Sequence, residues 1–332
     1  MRATKVRWAF ALGCLFLVIL FARAFDGRAV GADAYQVVHG WPILPEGYVL
    51  GQVSGVAVDS HNHVFVFHRG SRPWTDSQDI KPIAQPAILC YDGDSGKQIA
   101  AWGQNRFLLP HGMRVDAQDN IWVTDVALHQ VFKFSHDGKL LMTLGTERTP
   151  GLDGTHFNKP TDVAFGPEGT IYVSDGYVNS RVARFASDGK FLGDWGHKGA
   201  NPGEFDLPHG ITIDSQGRVY VADRSNARIQ VFDRDGKFLY AWKSFELGRP
   251  FALTVGPDGY LYVVDGGDQN PEPPDHGAIL RLDLTGKILD RWSRHGNYDG
   301  QLYIGHDVAV GKDGAVYVGD IEGRRIQKFV RK

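Results

Sequence analysis

A repeating unit of about 40–50 residues fills the chain after residue 50 and restricts the folds open to it. Three copies are plain at residues 110–145, 160–196 and 208–242, and three more begin at Ser54, Phe251 and His306. Each complete copy holds four short runs with the alternation of β-strands, bounded by turn signals such as Asp-Gly. Six units of four strands predict an all-β fold, a six-bladed β-propeller.

The sixth copy ends before its fourth strand, because the apolar pattern stops at Phe329 close to the C-terminus. A propeller closes its ring by taking an outer strand from the other end of the chain, which pairs edges that would otherwise stay exposed. Residues 35–39 have the alternation of a strand, and we expect them to supply it. The propeller is therefore predicted to occupy residues 34–332 as one domain.

The N-terminal segment has the pattern of an export signal. Three basic residues precede an apolar run over residues 8–21, and small residues follow at Ala22 and Ala24. The run is shorter than a typical membrane span, so residues 1–24 are predicted to be a secretory signal peptide, with an uncleaved membrane anchor as the alternative. Residues 25–33 then form a linker. We expect an exported chain, extracellular or periplasmic, with no membrane span once the signal is removed.

Charge and cysteine content bear on two further questions, nucleic-acid binding and the source of stability. The net charge is -2, which gives no electrostatic case for binding nucleic acid. The chain has 2 cysteines, Cys14 in the export signal and Cys90 in a predicted strand. The mature chain therefore has no internal disulfide, and its stability must come from packing or from metal.

Three histidines occur at one register of the repeat. His111, His209 and His306 each lie at the start of the innermost strand, in copies two, four and six. Alternate blades of a six-fold ring are related by about 120°, so the three side chains should converge on the axis. Three neutral imidazoles with an open coordination position are typical of a catalytic zinc site. The alternative is a polar channel that holds water.

Two arginines share a second register, in the turn after the second strand. Arg69 belongs to copy one and Arg224 to copy four, while copy three has Gly176 there and Tyr177 next. Two guanidinium groups and a phenol around a metal indicate an anionic ligand, because guanidinium pairs with carboxylate in a bidentate manner. Taken singly, each arginine is better explained by a surface salt bridge.

Aspartates recur at the end of the second strand in five copies. Such repetition predicts a hydrogen bond in a turn or between blades rather than catalysis; the residues are Asp125, Asp175, Asp223, Asp265 and Asp320. Asp307 lies at another position, directly after a histidine of the ring, at a register that it shares with Asp162. It is predicted either to accept a hydrogen bond from a ligand histidine or to bind a hard cation in the channel.

The repeat itself resembles the NHL repeat, and longer segments resemble one enzyme family. They are similar to the catalytic core of peptidyl-α-hydroxyglycine α-amidating lyase over nearly the whole chain after residue 50, at residues 51–57, 67–70, 109–112, 122–132, 160–164, 172–177, 221–224 and 306–307. The segment 122–132 is the most specific of these, since a generic NHL blade would not reproduce it.

The resemblance implies a lyase that cleaves the C–N bond of a peptidyl-α-hydroxyglycine-like carbinolamide to give an amide and glyoxylate. The substrate would be a peptide or small molecule with a carboxylate. Zinc would lie on the three histidines, Tyr177 would act as the base, and Arg69 and Arg224 would hold the carboxylate. A structural calcium in the channel would be bound by Val56, Met113 and Asp307. Two departures from the family are Val178 and Val231, which stand where animal members have cysteines.

Two other functions remain compatible with the repeat pattern. One is a non-catalytic NHL propeller that binds a protein or a glycan on one face. The other is a metal-dependent propeller hydrolase, which usually coordinates calcium through carboxylates and asparagine. The three-histidine register favours the lyase over the hydrolase, because imidazole suits zinc and carboxylate suits calcium.

Overall fold

The computed structural model describes residues 34–77, 79–267 and 277–332. The predicted signal peptide, or anchor, and the predicted linker lie outside these residues. The described chain forms six antiparallel sheets of four strands each, with the first strand of each unit innermost. One 3₁₀ turn, η1, interrupts this all-β pattern. None of the described residues forms a helix long and apolar enough to cross a membrane.

The first five sheets follow the chain, each strand pairing with the one before it. Blade 1 contains β2 (Val53–Val58), β3 (His63–His68), β4 (Ile88–Asp92) and β5 (Gln98–Trp102). Blade 2 contains β6 (Pro110–Val115), β7 (Ile121–Asp125), β8 (Gln130–Phe134) and β9 (Leu140–Leu144). Blade 3 contains β10 (Asp162–Phe165), η1 (Pro167–Gly169), β11 (Ile171–Asp175), β12 (Arg181–Phe185) and β13 (Phe191–Trp195). Blade 4 contains β14 (Pro208–Ile213), β15 (Val219–Asp223), β16 (Arg228–Phe232) and β17 (Phe238–Trp242). Blade 5 contains β18 (Pro250–Val255), β19 (Leu261–Asp265), β20 (Ile279–Leu282) and β21 (Ile288–Trp292).

Blade 6 joins the two ends of the chain. It contains β22 (Gly305–Val310), β23 (Val316–Asp320), β24 (Arg325–Arg331) and, outermost, β1 (Tyr35–Val37). Strand β1 runs antiparallel to β24, with Tyr35 opposite Arg331. The Tyr35 ring also stacks on Trp292 of blade 5, with 4.0 Å between ring centroids. The predicted closure by an N-terminal strand is confirmed, and one aromatic contact ties that strand to the preceding blade.

The core lies between blades rather than in one central mass. Six clusters of buried apolar side chains each join two neighbouring sheets, and the ring is complete because one of them packs blade 6 against blade 1. The strands near the axis are buried on both faces, as in β15, where all five residues are buried. Most residues of the outermost strands are exposed or half-buried, and in β17 the two classes alternate. This gradient matches a sheet that is packed on both sides except at its outer edge.

The repeated aspartates hold the loop that enters each inner strand. The Asp125 carboxylate accepts hydrogen bonds from the backbone N–H groups of Leu108 and Leu109, at 2.6 and 3.0 Å. The Asp320 carboxylate does the same for Tyr303 and Ile304. Leu109 and Ile304 each precede a ring histidine by two residues. The aspartates therefore fix the backbone from which the histidines project, which is the structural role that their repetition predicted.

Candidate active site

The three histidines converge at one mouth of the central channel. His111, His209 and His306 are all buried, and their ring centroids lie 4.7, 4.7 and 4.9 Å apart. One nitrogen of each ring lies within 4.8 Å of the corresponding nitrogens of the other two. The shared register on alternate blades thus brings the side chains together as expected. We refer to these three residues as the histidine triad.

Each triad ring is held by a backbone carbonyl of the next blade. The Nδ1 atoms of His111, His209 and His306 lie 2.7 Å from the carbonyl oxygens of Thr161, Phe251 and Ser54, respectively. A carbonyl only accepts hydrogen bonds, so Nδ1 carries the proton and the lone pair is on Nε2. The carbonyl groups come from blades three, five and one, at the register of the histidines. The odd blades therefore orient the imidazoles of the even ones.

The protonation state of the triad fits a metal site. Burial holds the pKa of His111 and of His209 well below the usual range, and each is lowered further by the neighbouring triad ring. Burial and the nearby Arg69 lower the pKa of His306 to about 3. The rings are therefore neutral near pH 7, with fixed tautomers. Three neutral imidazoles with carbonyl partners on Nδ1 are the donor set that zinc takes in catalytic sites.

Tyr177 points its hydroxyl at the triad from the turn after β11. The hydroxyl oxygen lies 3.0 Å from His111 Nε2 and 3.5 Å from His209 Nε2. The phenol ring packs against Trp74, with 4.7 Å between centroids. The hydroxyl is therefore placed beside the nitrogens that would face a metal, with its ring held by an aromatic neighbour.

Arg69 is buried beside the same mouth, contrary to the surface salt bridge that was the alternative. Its Nε donates to the carbonyl of Pro110 at 2.9 Å, and its Nη1 donates to Gln52 Oε1 at 3.0 Å. Its Nη2 is also buried but has no hydrogen-bond partner among the described residues. Burial lowers the pKa of Arg69 to about 10, so the group stays charged at neutral pH. A buried, charged donor left without a partner is a binding point for an anion.

Arg224 approaches the triad from blade 4. Its guanidinium lies over the Phe251 ring at 3.7 Å from the centroid, and the Phe251 ring lies 5.2 Å from that of His209. Arg224 is one of the groups that depress the pKa values of all three triad histidines, as is Arg69 for His111 and His306. The mouth of the channel is therefore electropositive, with two cations around three neutral rings.

The register of the repeat did not predict two residues of this site, Trp74 and Gln52. Trp74 lies in the long insertion between β3 and β4, a segment that matches no position of the repeat, so the register does not predict where it folds. Gln52, just before β2, buries its amide against Arg69. The sequence did hold one signal for Trp74, because the insertion that contains it begins at an arginine of the site. For Gln52 the sequence offers none.

The residues expected to bind calcium have other partners. Arg114 Nη1 donates to the Met113 carbonyl at 2.7 Å and to Asp307 Oδ1 at 2.8 Å, and its Nη2 donates to Asp162. Val56 offers Asp307 its backbone N–H, at 2.9 Å. The Arg114 guanidinium, which is always protonated, already bonds oxygens that calcium would need as ligands. The described donor set therefore does not fit calcium. We call Arg114, Asp162 and Asp307 the Arg114 cluster.

The charges of the Arg114 cluster are buried together. The side chains of Arg114, Asp162 and Asp307 are 12%, 5% and 4% exposed. Burial raises the pKa of Asp162 to about 7 although Arg114 opposes the shift, and burial likewise raises the pKa of Asp307. Asp307 is therefore paired with a guanidinium of the protein itself, which is neither of the two roles predicted for it.

Comparison with known proteins places the chain among relatives that match most of its length. The NHL repeat model matches residues 107–134, 157–185 and 205–232. Peptidyl-alpha-hydroxyglycine alpha-amidating lyase 2 of Drosophila melanogaster is 36% identical over 335 residues, which cover 93% of this chain and 79% of that protein. Peptidyl-glycine alpha-amidating monooxygenase B of Xenopus laevis is 41% identical over 304 residues, covering 84% of this chain and 34% of that protein. The chain thus spans about a third of the length of this second relative.

A solved structure of streptogramin B lyase has a similar fold. It superposes with a TM-score of 0.58 over 90% of this chain and 98% of that one, at 17% sequence identity. The superposition supports the propeller architecture, but at this sequence identity it carries no argument about the reaction.

Proposed function

Because the chain belongs to the peptidyl-α-hydroxyglycine α-amidating lyase family, we propose that it is a zinc-dependent lyase that converts a peptidyl-α-hydroxyglycine into a peptide amide and glyoxylate. The observation that carries the zinc assignment is the triad itself, whose Nδ1 atoms are all committed to carbonyl groups. The Nε2 atoms of His111, His209 and His306 would hold the ion. When bound, zinc supplies a Lewis acid that lowers the pKa of a hydroxyl group in contact with it.

The substrate carboxylate would bind between the two arginines. Arg69 offers a buried donor, Nη2, that has no partner within the described chain, and its other donors are fixed by Gln52 and Pro110. Arg224 adds a second charge from the opposite blade, steadied by its contact with the Phe251 ring. A carboxylate held there would put the adjacent α-carbon and its hydroxyl next to the triad, since Arg69 and Arg224 both act electrostatically on the triad rings.

Tyr177 would move the proton. The reaction removes the proton of the α-hydroxyl, and the O–H electrons form the C=O of glyoxylate as the C–N bond breaks. The departing amide nitrogen then takes up one proton. The Tyr177 oxygen lies 3.0 Å from His111 Nε2, which puts it within reach of a hydroxyl bound at the triad. One group that accepts the hydroxyl proton and returns it to nitrogen balances the reaction.

The test of the proposal is glyoxylate release from an N-acyl-α-hydroxyglycine, measured together with zinc content. The zinc-loaded chain should release glyoxylate, and the chelated chain should lose that activity and regain it with added zinc. A loaded chain that releases none above the chelated control would contradict the lyase and favour the propeller that only binds a partner.

Arg69 offers a sharper test of substrate binding. Arg69→Ala should raise KM by about 10–100-fold, because a charge-assisted contact of roughly 1.5–3 kcal/mol is lost. Arg184→Ala is the matched control, since Arg184, on the third strand of blade 3, pairs with the exposed Asp235 in a turn of blade 4. An unchanged KM in Arg69→Ala would remove this residue from the binding site.

We also propose that the chain is exported and that residues 1–24 are removed as a signal peptide. The support is the sequence pattern of basic residues, apolar run and small residues. Determining the N-terminus of the protein from its native host by mass spectrometry tests this. A mature chain that still begins at Met1 would favour the uncleaved anchor.

A further inference from the structure

A second group of ligand-type side chains lies at the far end of the inner strand of blade 1. Asp59 follows β2, His63 begins β3, and His136 lies in the turn between β8 and β9 of blade 2. Asp59 is five residues beyond Ser54, which shares the register of the triad. At a rise of about 3.3 Å per residue, this puts the group about 16 Å from the triad, toward the opposite face.

The two imidazoles converge on one carboxylate oxygen. Asp59 Oδ2 lies 2.9 Å from His63 Nδ1 and 2.8 Å from His136 Nε2, and the two nitrogens are 3.3 Å apart. The other oxygen, Oδ1, accepts the backbone N–H groups of His61 and His63, both at 2.8 Å. The carboxylate is thereby fixed by the turn, with one oxygen left for the rings.

This arrangement is poorly satisfied by the protein alone. The Asp59 side chain is fully buried, and within the described ranges it forms no ion pair with lysine or arginine. If both ring nitrogens carry protons, the two N–H groups share one oxygen, and no lysine or arginine of the described residues neutralises the buried carboxylate. If one nitrogen carries no proton, its lone pair faces the carboxylate oxygen rather than a cation. A metal ion removes both difficulties, because it binds the lone pairs of both nitrogens and the charge of the carboxylate.

We propose that Asp59, His63 and His136 form a second metal site, which takes a divalent transition ion such as zinc. Ligands around a tetrahedral zinc with bonds of about 2.0–2.1 Å lie about 3.3 Å from one another. The observed separations of 2.8, 2.9 and 3.3 Å approach this value, so binding requires the side chains to move by only a few tenths of an ångström. Side chains of His63 and His136 that are 28% and 45% exposed leave room for water to complete the coordination.

The donor set selects the class of metal. Two imidazole nitrogens and one carboxylate oxygen suit zinc, copper and nickel, whereas calcium and magnesium prefer oxygen ligands throughout. Because the ligands come from two blades, the ion would link blade 1 to blade 2 on the face away from the triad. The site is independent of the proposed reaction.

Metal content decides the proposal. The full chain is freed of metal with a chelator, equilibrated with zinc at a free concentration of about 10 μM, and analysed for bound zinc; if the site binds with a micromolar Kd it will be largely filled. His136→Asn should bind one equivalent less than the parent. His156→Asn is the matched control, because its Nδ1 lies 2.8 Å from Asp153 without a second imidazole, and it should bind as much as the parent.

Two further measurements make the outcome unambiguous. His209→Ala removes a triad ligand, so its zinc loss reports on the triad and is separate from that of His136→Asn. The melting temperature of the parent should rise with zinc by about 2 °C or more through this site, and His136→Asn should lose that increment. Should His136→Asn fold poorly by circular dichroism, His63→Gln replaces it. Zinc binding in the folded variant equal to that of the parent overturns the proposal.

Discussion

The histidine triad and the Arg114 cluster are neighbours, with Asp307 directly after His306, yet only the Arg114 cluster contains ion pairs made by the protein itself. In the triad each ring uses one nitrogen for the protein and directs the other to a shared point, and Arg69 keeps a buried donor without a partner among the described residues. In the Arg114 cluster the guanidinium bonds both carboxylates and a carbonyl through its two terminal nitrogens, and only its Nε is buried without a partner among the described residues. The first region needs a ligand from outside, and the second carries its own cation.

The difference has an energetic basis. A buried charge costs several kcal/mol unless it is paired and hydrogen-bonded, so the Arg114 cluster is stable only as a complete set. Burying neutral imidazoles costs far less free energy, so the fold tolerates the triad without a bound metal. Removing one member should therefore abolish activity in the triad but lower stability in the Arg114 cluster.

The largest expected effect is on activity, in the triad. His209→Ala should lower glyoxylate release by about 10³-fold or more and reduce bound zinc, because loss of one of three ligands removes several kcal/mol of metal assistance. Its melting temperature should fall only slightly when both proteins are compared without metal. His197→Ala, which changes a largely exposed histidine, is the control. A variant that keeps its zinc and its rate would show that the triad is a polar channel and not a metal centre.

The next largest effect is on stability, in the Arg114 cluster. Arg114→Met keeps a long side chain but leaves the buried Asp162 and Asp307 without their cation, which should cost about 3–5 kcal/mol of unfolding free energy. Arg184→Met, at an exposed pair, should cost less than about 1 kcal/mol. Denaturant titration of both variants measures this. Equal stability of the two would mean that the guanidinium is not what neutralises the channel.

Tyr177→Phe separates chemistry from metal binding within the mouth. The variant keeps the ring that packs on Trp74 and loses only the hydroxyl. Turnover should fall by about 10²-fold, the range of lost general acid–base help, while zinc content and KM stay near those of the parent. The measurement is steady-state glyoxylate release with zinc determined in the same sample. A variant as fast as the parent moves the proton-transfer role to another group.

Repetition explains why the sequence predicted the triad and not the Arg114 cluster. The register of His111 recurs in every blade, so strand pairing places it without knowledge of the side chains around it. Arg114 has no such partner: its register holds the small residues Ala57, Ala164, Thr212, Thr254 and Ala309 in the other blades. A single arginine at a register of small residues indicates that its side chain fills part of the channel. The direction of a long side chain, however, depends on packing that the repeat pattern does not encode.

The smallest expected effect sharpens the contrast most. The parent chain should melt within about 1 °C of the same temperature with calcium added or chelated, because an ion stabilises a protein only by binding the folded state. Calcium requires six to eight oxygen ligands, and to use the Met113 carbonyl and Asp307 it would have to displace a guanidinium that bonds both.

Arg114→Ala, which introduces the residue found at this register in three other blades, should behave differently. It frees these oxygens and leaves two buried carboxylates near one carbonyl, so millimolar calcium should raise its melting temperature by a few degrees and magnesium less. Melting curves of both proteins with calcium, with magnesium and with a calcium-selective chelator make the comparison, and a parent that loses stability on calcium removal would contradict the assignment of Arg114 as the channel cation.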